Sequence, residues 1–289
     1  MKQILIISGK GGTGKTCLTG AVSRLVKDIV ICDCDVDAPD LHLILAPEIK
    51  KGFSFIGSKL AVIHKDKCTE CGKCIEVCEF DAVNSGFCID PLECEGCSVC
   101  RWFCPEKAIS MNEKEAGKYY VSEIDNGFLV HALLNPGEEN SGKLVTQVKK
   151  KARQQAKENN NEYILIDGPP GIGCAVIASL SGVDLAVIIT EPTQSGIHDM
   201  ERTINLAGQF GIQTKVVINK CDLNLDVTKK IKEFLKQEKI AIIEEIPFSD
   251  VFMESLKQGK TVVECDTHGE IKKKIENIKR EVFDYAEKR

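Results

Sequence analysis

Two groups of residues in this 289-residue chain have the types and spacing that chemistry needs. The first is the run Gly9, Lys10, Gly11, Gly12, Thr13, Gly14, Lys15, Thr16, Cys17, which follows the mostly apolar stretch Ile4 to Ser8. Gly9, Gly14, Lys15 and Thr16 fit G-x-x-x-x-G-K-[ST], a phosphate loop. Its glycines let backbone N–H groups turn toward a polyphosphate with no Cβ in the way, and the helix that follows adds its positive dipole end. Lys15 is expected to reach the β- and γ-phosphates of ATP, and Thr16 to offer its hydroxyl to Mg²⁺. The second group is cysteine. Cys68, Cys71, Cys74 and Cys78 are spaced C-x₂-C-x₂-C-x₃-C, and Cys94, Cys97, Cys100 and Cys104 repeat that spacing 26 residues later. Thiolates in that number and order are ligands for iron–sulfur clusters.

Carboxylates complete the first group. The apolar run 29–33 leads into Asp33, Asp35 and Asp37, and Tyr163 to Asp167 delivers a further carboxylate at the end of a second buried strand. Acids at the carboxyl edge of strands beside a phosphate loop sit where Mg²⁺ and the attacking water must be placed. Asp167 is placed to hold Mg²⁺ through its water, while Asp33, Asp35 and Asp37 read either as acids for metal and water or as a simple acidic turn capping the helix at 41–45. Gly168 and Gly171, around Pro169-Pro170, form a turn whose backbone N–H could meet the γ-phosphate. Cys32 and Cys34 share a strand face and read as buried structural cysteines.

The loop G-K-G-G-T-G-K-T, with its additional Lys10, resembles the deviant phosphate loop of the family that includes the cell-division ATPase MinD, the partition ATPase ParA and the nitrogenase iron protein. The resemblance implies that Lys10 crosses a dimer interface to the partner's nucleotide, so that ATP is held between two copies of the chain. It also implies that D-x-D-x-D is a first switch segment, with Asp33 and Asp35 in the metal and water roles and Asp37 a contact to the γ-phosphate region. Asn219-Lys220-Cys221-Asp222 resembles the base-recognition segment of phosphate-loop proteins, in which the asparagine pairs with the purine; Pro247 and Phe248 would line the base. The alternative for Asn219 is a strand-end turn. Cys174 lies seven residues beyond Asp167, the spacing of a subunit-bridging cluster ligand in the nitrogenase iron protein. No second ligand has a counterpart here, and small core filler is the competing reading.

The cysteine block resembles the bacterial two-cluster ferredoxin, whose fourth ligand comes from the other half. That implies one [4Fe-4S] cluster on Cys68, Cys71, Cys74 and Cys104, and another on Cys94, Cys97, Cys100 and Cys78. Zinc competes for C-x₂-C pairs but rarely uses four cysteines twice in this interleaved order. Cys78 is followed by Glu79 where many such ferredoxins have proline, which alters packing without removing a ligand. Cys88 has no partner at motif spacing.

The elements that must position these groups alternate between strand and helix. Strands are expected near 50–63, 118–124, 126–134, 184–190, 214–220 and 240–246. Helices are expected to about Asp28 and near 41–45, 142–159 (with Ser141 as N-cap), 175–181, 195–210, 225–237, 249–257 and 268–286. Such alternation predicts an α/β phosphate-loop NTPase fold with a mostly parallel sheet flanked by helices. The discontinuous ATPase domain would span 1–63 and 113–289, and a small α+β ferredoxin-like domain 64–112. Ile271, Ile275, Ile278, Val282 and Tyr285 share one face of the last helix, which is expected to lie on this protein's own sheet and not on a membrane.

The net charge of −5 and pI near 5.7 favour neither nucleic acid nor an anionic membrane surface. No export signal or 18-residue apolar run is evident at the N-terminus, so a cytoplasmic protein is expected, and its 15 cysteines argue for metal over disulfides. The five histidines have no ligand spacing. Residues 64–112 hold 5 basic and 9 acidic residues, a balance that would suit a basic patch on a redox partner. Three functions follow. ATP binding and hydrolysis gate electron transfer through the clusters to a protein partner; or the chain is a nucleotide-switched positioning or assembly factor with sensing or structural clusters; or it is a cluster carrier.

Overall fold

A computed structural model describes residues 1–138 and 142–287. In chain order it contains β1 (Lys2–Ile7), α1 (Lys15–Arg24), β2 (Ile29–Asp33), α2 (Leu41–Leu45), β3 (Glu48–Ile63), α3 (Lys73–Glu76), α4 (Val99–Phe103), β4 (Ile109–Ile124) and β5 (Gly127–Leu134). There follow α5 (Lys143–Glu158), β6 (Tyr163–Asp167), α6 (Cys174–Leu180), β7 (Leu185–Thr190), α7 (Gln194–Gln209), β8 (Gln213–Asn219), α8 (Leu225–Gln237), β9 (Ala241–Ile246), α9 (Val251–Lys257), α10 (Val262–Cys265) and α11 (Glu270–Glu287). The strands form a nine-stranded sheet in the order β3-β4-β5-β2-β6-β1-β7-β8-β9. From β5 to β9 every neighbouring pair is parallel. Parallel strands are covered on both faces, which is why β1, β2, β6 and β7 are near-continuous apolar runs and fully buried but for Lys2 and Tyr163 at their outer ends.

The chain forms two compact units: Met1–Gly52 with Tyr119–Leu133 and Asn140–Arg289, and Phe53–Lys118 with Leu134–Glu139. In the first, Leu18, Ala21 and Val22 of α1 join Ile271, Ile275, Ile278 and Val282 of α11 in one core with Ile4, Ile6, Leu165 and Val187 of the sheet. The last helix therefore packs on its own sheet; the Tyr285 side chain lies outside the described residues. No described helix is long and apolar enough to cross a membrane. In the second unit the core is small and largely cysteine: Cys74 and Cys100 are buried with Ala61, Val83 and Ile109, and Cys78, Cys94 and Cys104 pack against them.

The main differences from expectation have local causes. α1 ends at Arg24, and Asp28 takes a left-handed φ of 52° in the tight turn into β2. β4 begins at Ile109, well inside the segment read as the insert, because its polar first half, Met111 to Lys118, has no uninterrupted apolar run to mark it. α10, only four residues long, carries no detectable periodicity and is held by a capping box between Thr261 and Glu264. α5 starts at Lys143 with Gly142 as its N-cap; the expected Ser141 cap falls outside the described residues.

Candidate functional site

Parallel topology brings the carboxyl ends of β1, β2, β6, β7 and β8 to one edge of the sheet, where open α/β folds bind ligands. A cavity of about 800 Å³ lies there in the first unit. Gly11 to Cys17 form one wall, Asp35 and Asp37 another, Pro169, Pro170 and Cys174 a third, and Asn219, Lys220, Pro247 and Phe248 the far end. Gly168 sits behind the third wall: its N–H donates to Ile6 O (2.8 Å), and a Cβ there would meet Leu5 Cδ1 at 2.9 Å. Gly14 needs its lack of a side chain, since it has φ 91° and a Cβ would stand 2.5 Å from Asn219 Nδ2.

Strand register sets the electrostatics. Asp33, the last residue of β2, pairs with Asp167, the last of β6, on adjacent strands. Both are fully buried. Burial first, and then the Asp167 charge, push the Asp33 carboxyl well above the usual carboxylate range, with Lys15 opposing. Its Oδ1 accepts from Asp35 N (3.1 Å), whereas Oδ2 is buried without a partner. Burial also raises Asp35. Asp167 Oδ2 accepts from Thr16 Oγ1 (2.8 Å) and faces Lys15 Nζ at 3.0 Å; its Oδ1 accepts from Thr19 Oγ1 (2.8 Å). Burial works against the charge of Lys15, but Asp167, Asp35 and Asp33 together more than offset it and raise its pKa. Two buried carboxylates, one with an orphaned oxygen, beside a threonine hydroxyl make a donor set that suits Mg²⁺. Thr16, Asp33 and Asp167 are the residues that would hold it.

Lys15 thus rests on Asp167 and must swing away to meet a phosphate. Lys10 also lies on its own chain: Nζ pairs with Glu191 Oε1 (2.7 Å) and donates to Thr193 Oγ1 (3.1 Å) and Ser195 Oγ (3.2 Å). Glu191 Oε2 holds Lys220 Nζ at 2.9 Å, and Lys220 donates to Gly12 O (3.1 Å). Asn219 braces the loop, its amide donating to Thr13 O (2.8 Å) while its Oδ1 accepts from Lys220 N (3.0 Å). Sequence reasoning missed Thr19 and Glu191. The usable signals were Thr19 standing one helical turn after Lys15, and an acid directly after the apolar run of β7. Cys32 and Cys34 are buried as expected, their sulfurs 3.6 Å apart. Cys174 is exposed at the start of α6, so the core-filler reading of it is corrected: the preceding turn lifts it out of the apolar face carried by Val176 and Leu180.

In the second unit the eight cysteines border two separate cavities. One is lined by Cys68, Cys71, Cys74 and Cys104, the other by Cys78, Cys94, Cys97 and Cys100. Each therefore takes three cysteines from one half of the repeat and one from the other. Ile63, Phe87 and Ile109 wall the first, and Ala61, Val83 and Met111 the second. Ala108 N–H points at Cys104 Sγ (3.3 Å). Among the described residues no three His, Cys, Asp or Glu side chains converge on a single metal ion. Four cysteines around one cavity are a donor set that an iron–sulfur cluster could take. Cys88 is exposed and borders neither cavity.

The profile of the CobQ/CobB/MinD/ParA nucleotide-binding domain matches residues 4–262. The chain belongs to this family. It is 35% identical over 280 residues to an uncharacterized protein of Methanocaldococcus jannaschii, covering 96% of this chain and 94% of the relative. Its fold is similar to that of the septum site-determining protein MinD complexed with Mg-ADP from Pyrococcus horikoshii (TM-score 0.61, 15% identity, 99% and 97% of the two chains). It is likewise similar to a Cyanothece McdA–ATP complex (TM-score 0.62, 16% identity, 98% and 96%). The first unit is accordingly the nucleotide-binding ATPase fold of this MinD/ParA family.

Proposed function

We propose that the chain is a MgATP-dependent ATPase, dimeric when ATP is bound, that couples nucleotide binding and hydrolysis to electron transfer through two [4Fe-4S] clusters to a protein partner. The observation that carries this reading is the pair of four-cysteine cavities, each interleaved between the two halves of the repeat, in a chain that also has a complete phosphate loop. Cys68, Cys71, Cys74 and Cys104 would hold one cluster, and Cys94, Cys97, Cys100 and Cys78 the other. Clusters so bound supply one-electron chemistry at potentials set by hydrogen bonds to sulfur and by exposure. Gly11 to Cys17 bind the phosphates. Lys15 leaves Asp167 for the β- and γ-phosphates, freeing that carboxylate and Asp33 for Mg²⁺. Asp35 and Asp37 face the cavity and are suited to orient water. Lys10, released from Glu191, is suited to reach a partner's nucleotide.

A second reading is favoured by the MinD-like fold: a nucleotide-switched positioning or assembly factor whose clusters sense redox state or staple the small unit. One measurement separates the two. Anaerobically purified protein is titrated electrochemically, with iron analysis and electron paramagnetic resonance, with and without MgATP. Close to eight irons per chain and a nucleotide-dependent shift of potential are expected; full iron with identical potentials would reject the coupling.

A further inference from the structure

Trp102, the chain's single tryptophan, is 75% exposed, and Phe103 beside it 60%. Both belong to the five-residue α4, and their position follows from the cysteines. Cys100 is buried against one cavity and Cys104 lines the other, so the residues between them are turned outward. Helical residues two apart have Cα atoms about 5.4 Å apart. Trp102 therefore stands two residues along the backbone from a cysteine of each quartet. α3 packs against α4 and adds the exposed Ile75 to the same helix pair.

The surroundings are acidic on balance. From Lys65 to Lys107 nine carboxylates, all exposed, accompany five basic residues, a balance of −4. Lys73 is itself neutralised by Glu76 at 2.8 Å. Large apolar anchors set in a charged surround are how protein interfaces concentrate affinity, and the charge selects the partner. We propose that Trp102 and Phe103 anchor a docking face for a redox protein presenting an apolar depression ringed by lysine or arginine. The face admits one electron between that partner and the cysteine quartets joined by α4. The same charge disfavours a second copy of this face and an anionic membrane. The inference rests on the clusters of the proposed function and names their partner's surface.

The probe is ferric horse-heart cytochrome c, whose haem edge is ringed by lysines. Full-length, iron-loaded chain is reduced with dithionite, freed of excess reductant and mixed with it. One electron leaves the chain, one ferric haem becomes ferrous, and no proton or ligand changes hands. Affinity is read separately by calorimetry between oxidised proteins. Trp102→Ala is expected to weaken binding and slow reduction about tenfold, a loss typical of one anchor residue. Trp102→Phe should recover most of it, and rising salt should suppress both readouts. Leu92→Ala, at a 73% exposed position of the same unit, should change neither. Reduction of a small dye keeps its rate in every variant. Wild-type protein without cluster iron would defeat the proposed function itself. Full iron with equal binding and rates in wild type and Trp102→Ala defeats the docking face alone. So does a concentration-dependent dimer that disappears in Trp102→Ala while cytochrome binding persists.

Discussion

Thr19→Val tests whether the buried network around Asp167 is organised as described. Thr19 is fully buried, and its hydroxyl donates to Asp167 Oδ1 at 2.8 Å; the other acceptor in reach, Lys15 O, is at 3.0 Å. Thr16 and Lys15 both engage Oδ2, so valine, which has the same shape, leaves Oδ1 without a donor. Hydrogen bonds to charged groups contribute about 1.5–3 kcal/mol, and an orphaned buried acceptor adds its desolvation. The nucleotide-free variant should lose roughly 2–3 kcal/mol, a fall in Tm on the order of 3–5 °C for a chain of this size. Thr19→Ser keeps the hydroxyl and forgoes one methyl, at about 0.8 kcal/mol. Anaerobic chemical denaturation of the three proteins measures the differences. A valine variant within about 0.5 kcal/mol of wild type, or a serine variant as weak as valine, would refute the reasoning, because either result means that the hydroxyl is not what Asp167 depends on.

Two further outcomes follow from the first unit. His131 is buried between His42 and Tyr120, with ring centroids at 6.0 and 5.3 Å, and burial lowers its pKa to about 4. A folded-state value below the unfolded 6.5 gives stability that is complete above pH 6.5 and is lost as pH falls toward 4. Between pH 7.5 and 5 wild type should lose about 2 kcal/mol more than His131→Phe, which keeps a ring and cannot titrate; parallel losses in denaturant titrations would contradict this. Gly14→Ala should weaken ATP binding at least about tenfold in calorimetry, since φ 91° is strained for alanine and the added Cβ displaces Asn219 from Thr13. Gly208→Ala, where a Cβ has open space, should leave affinity unchanged.

The chemistry of this chain was legible where it is written in contiguous residues. The phosphate loop, the D-x-D-x-D run and the strand before Asp167 each state a local backbone and a ligand type together, and the structure gathers them around one cavity. The sheet's parallel character was legible from its unbroken apolar strands. What could not be read are the pairings that depend on which strand lies beside which. That Asp33 and Asp167 stand level, that Glu191 gathers Lys10 and Lys220, and that Asn219 faces Thr13 all follow from sheet order, and no local pattern encodes it. The first half of β4 escaped for a different reason: Asn112 to Glu115 are four consecutive polar residues, with no apolar alternation to mark a strand.

The strand order also bears on how the chain is made. β1 lies between β6 and β7, so it has no strand partner until Tyr163 has been added. At about 5–20 residues per second, that is a wait on the order of ten to thirty seconds. The eight cysteines that border the two small cavities are made within this interval, ahead of the strands that complete the parallel sheet. The whole cysteine-rich segment is therefore synthesised before the strands that build the nucleotide site can come together.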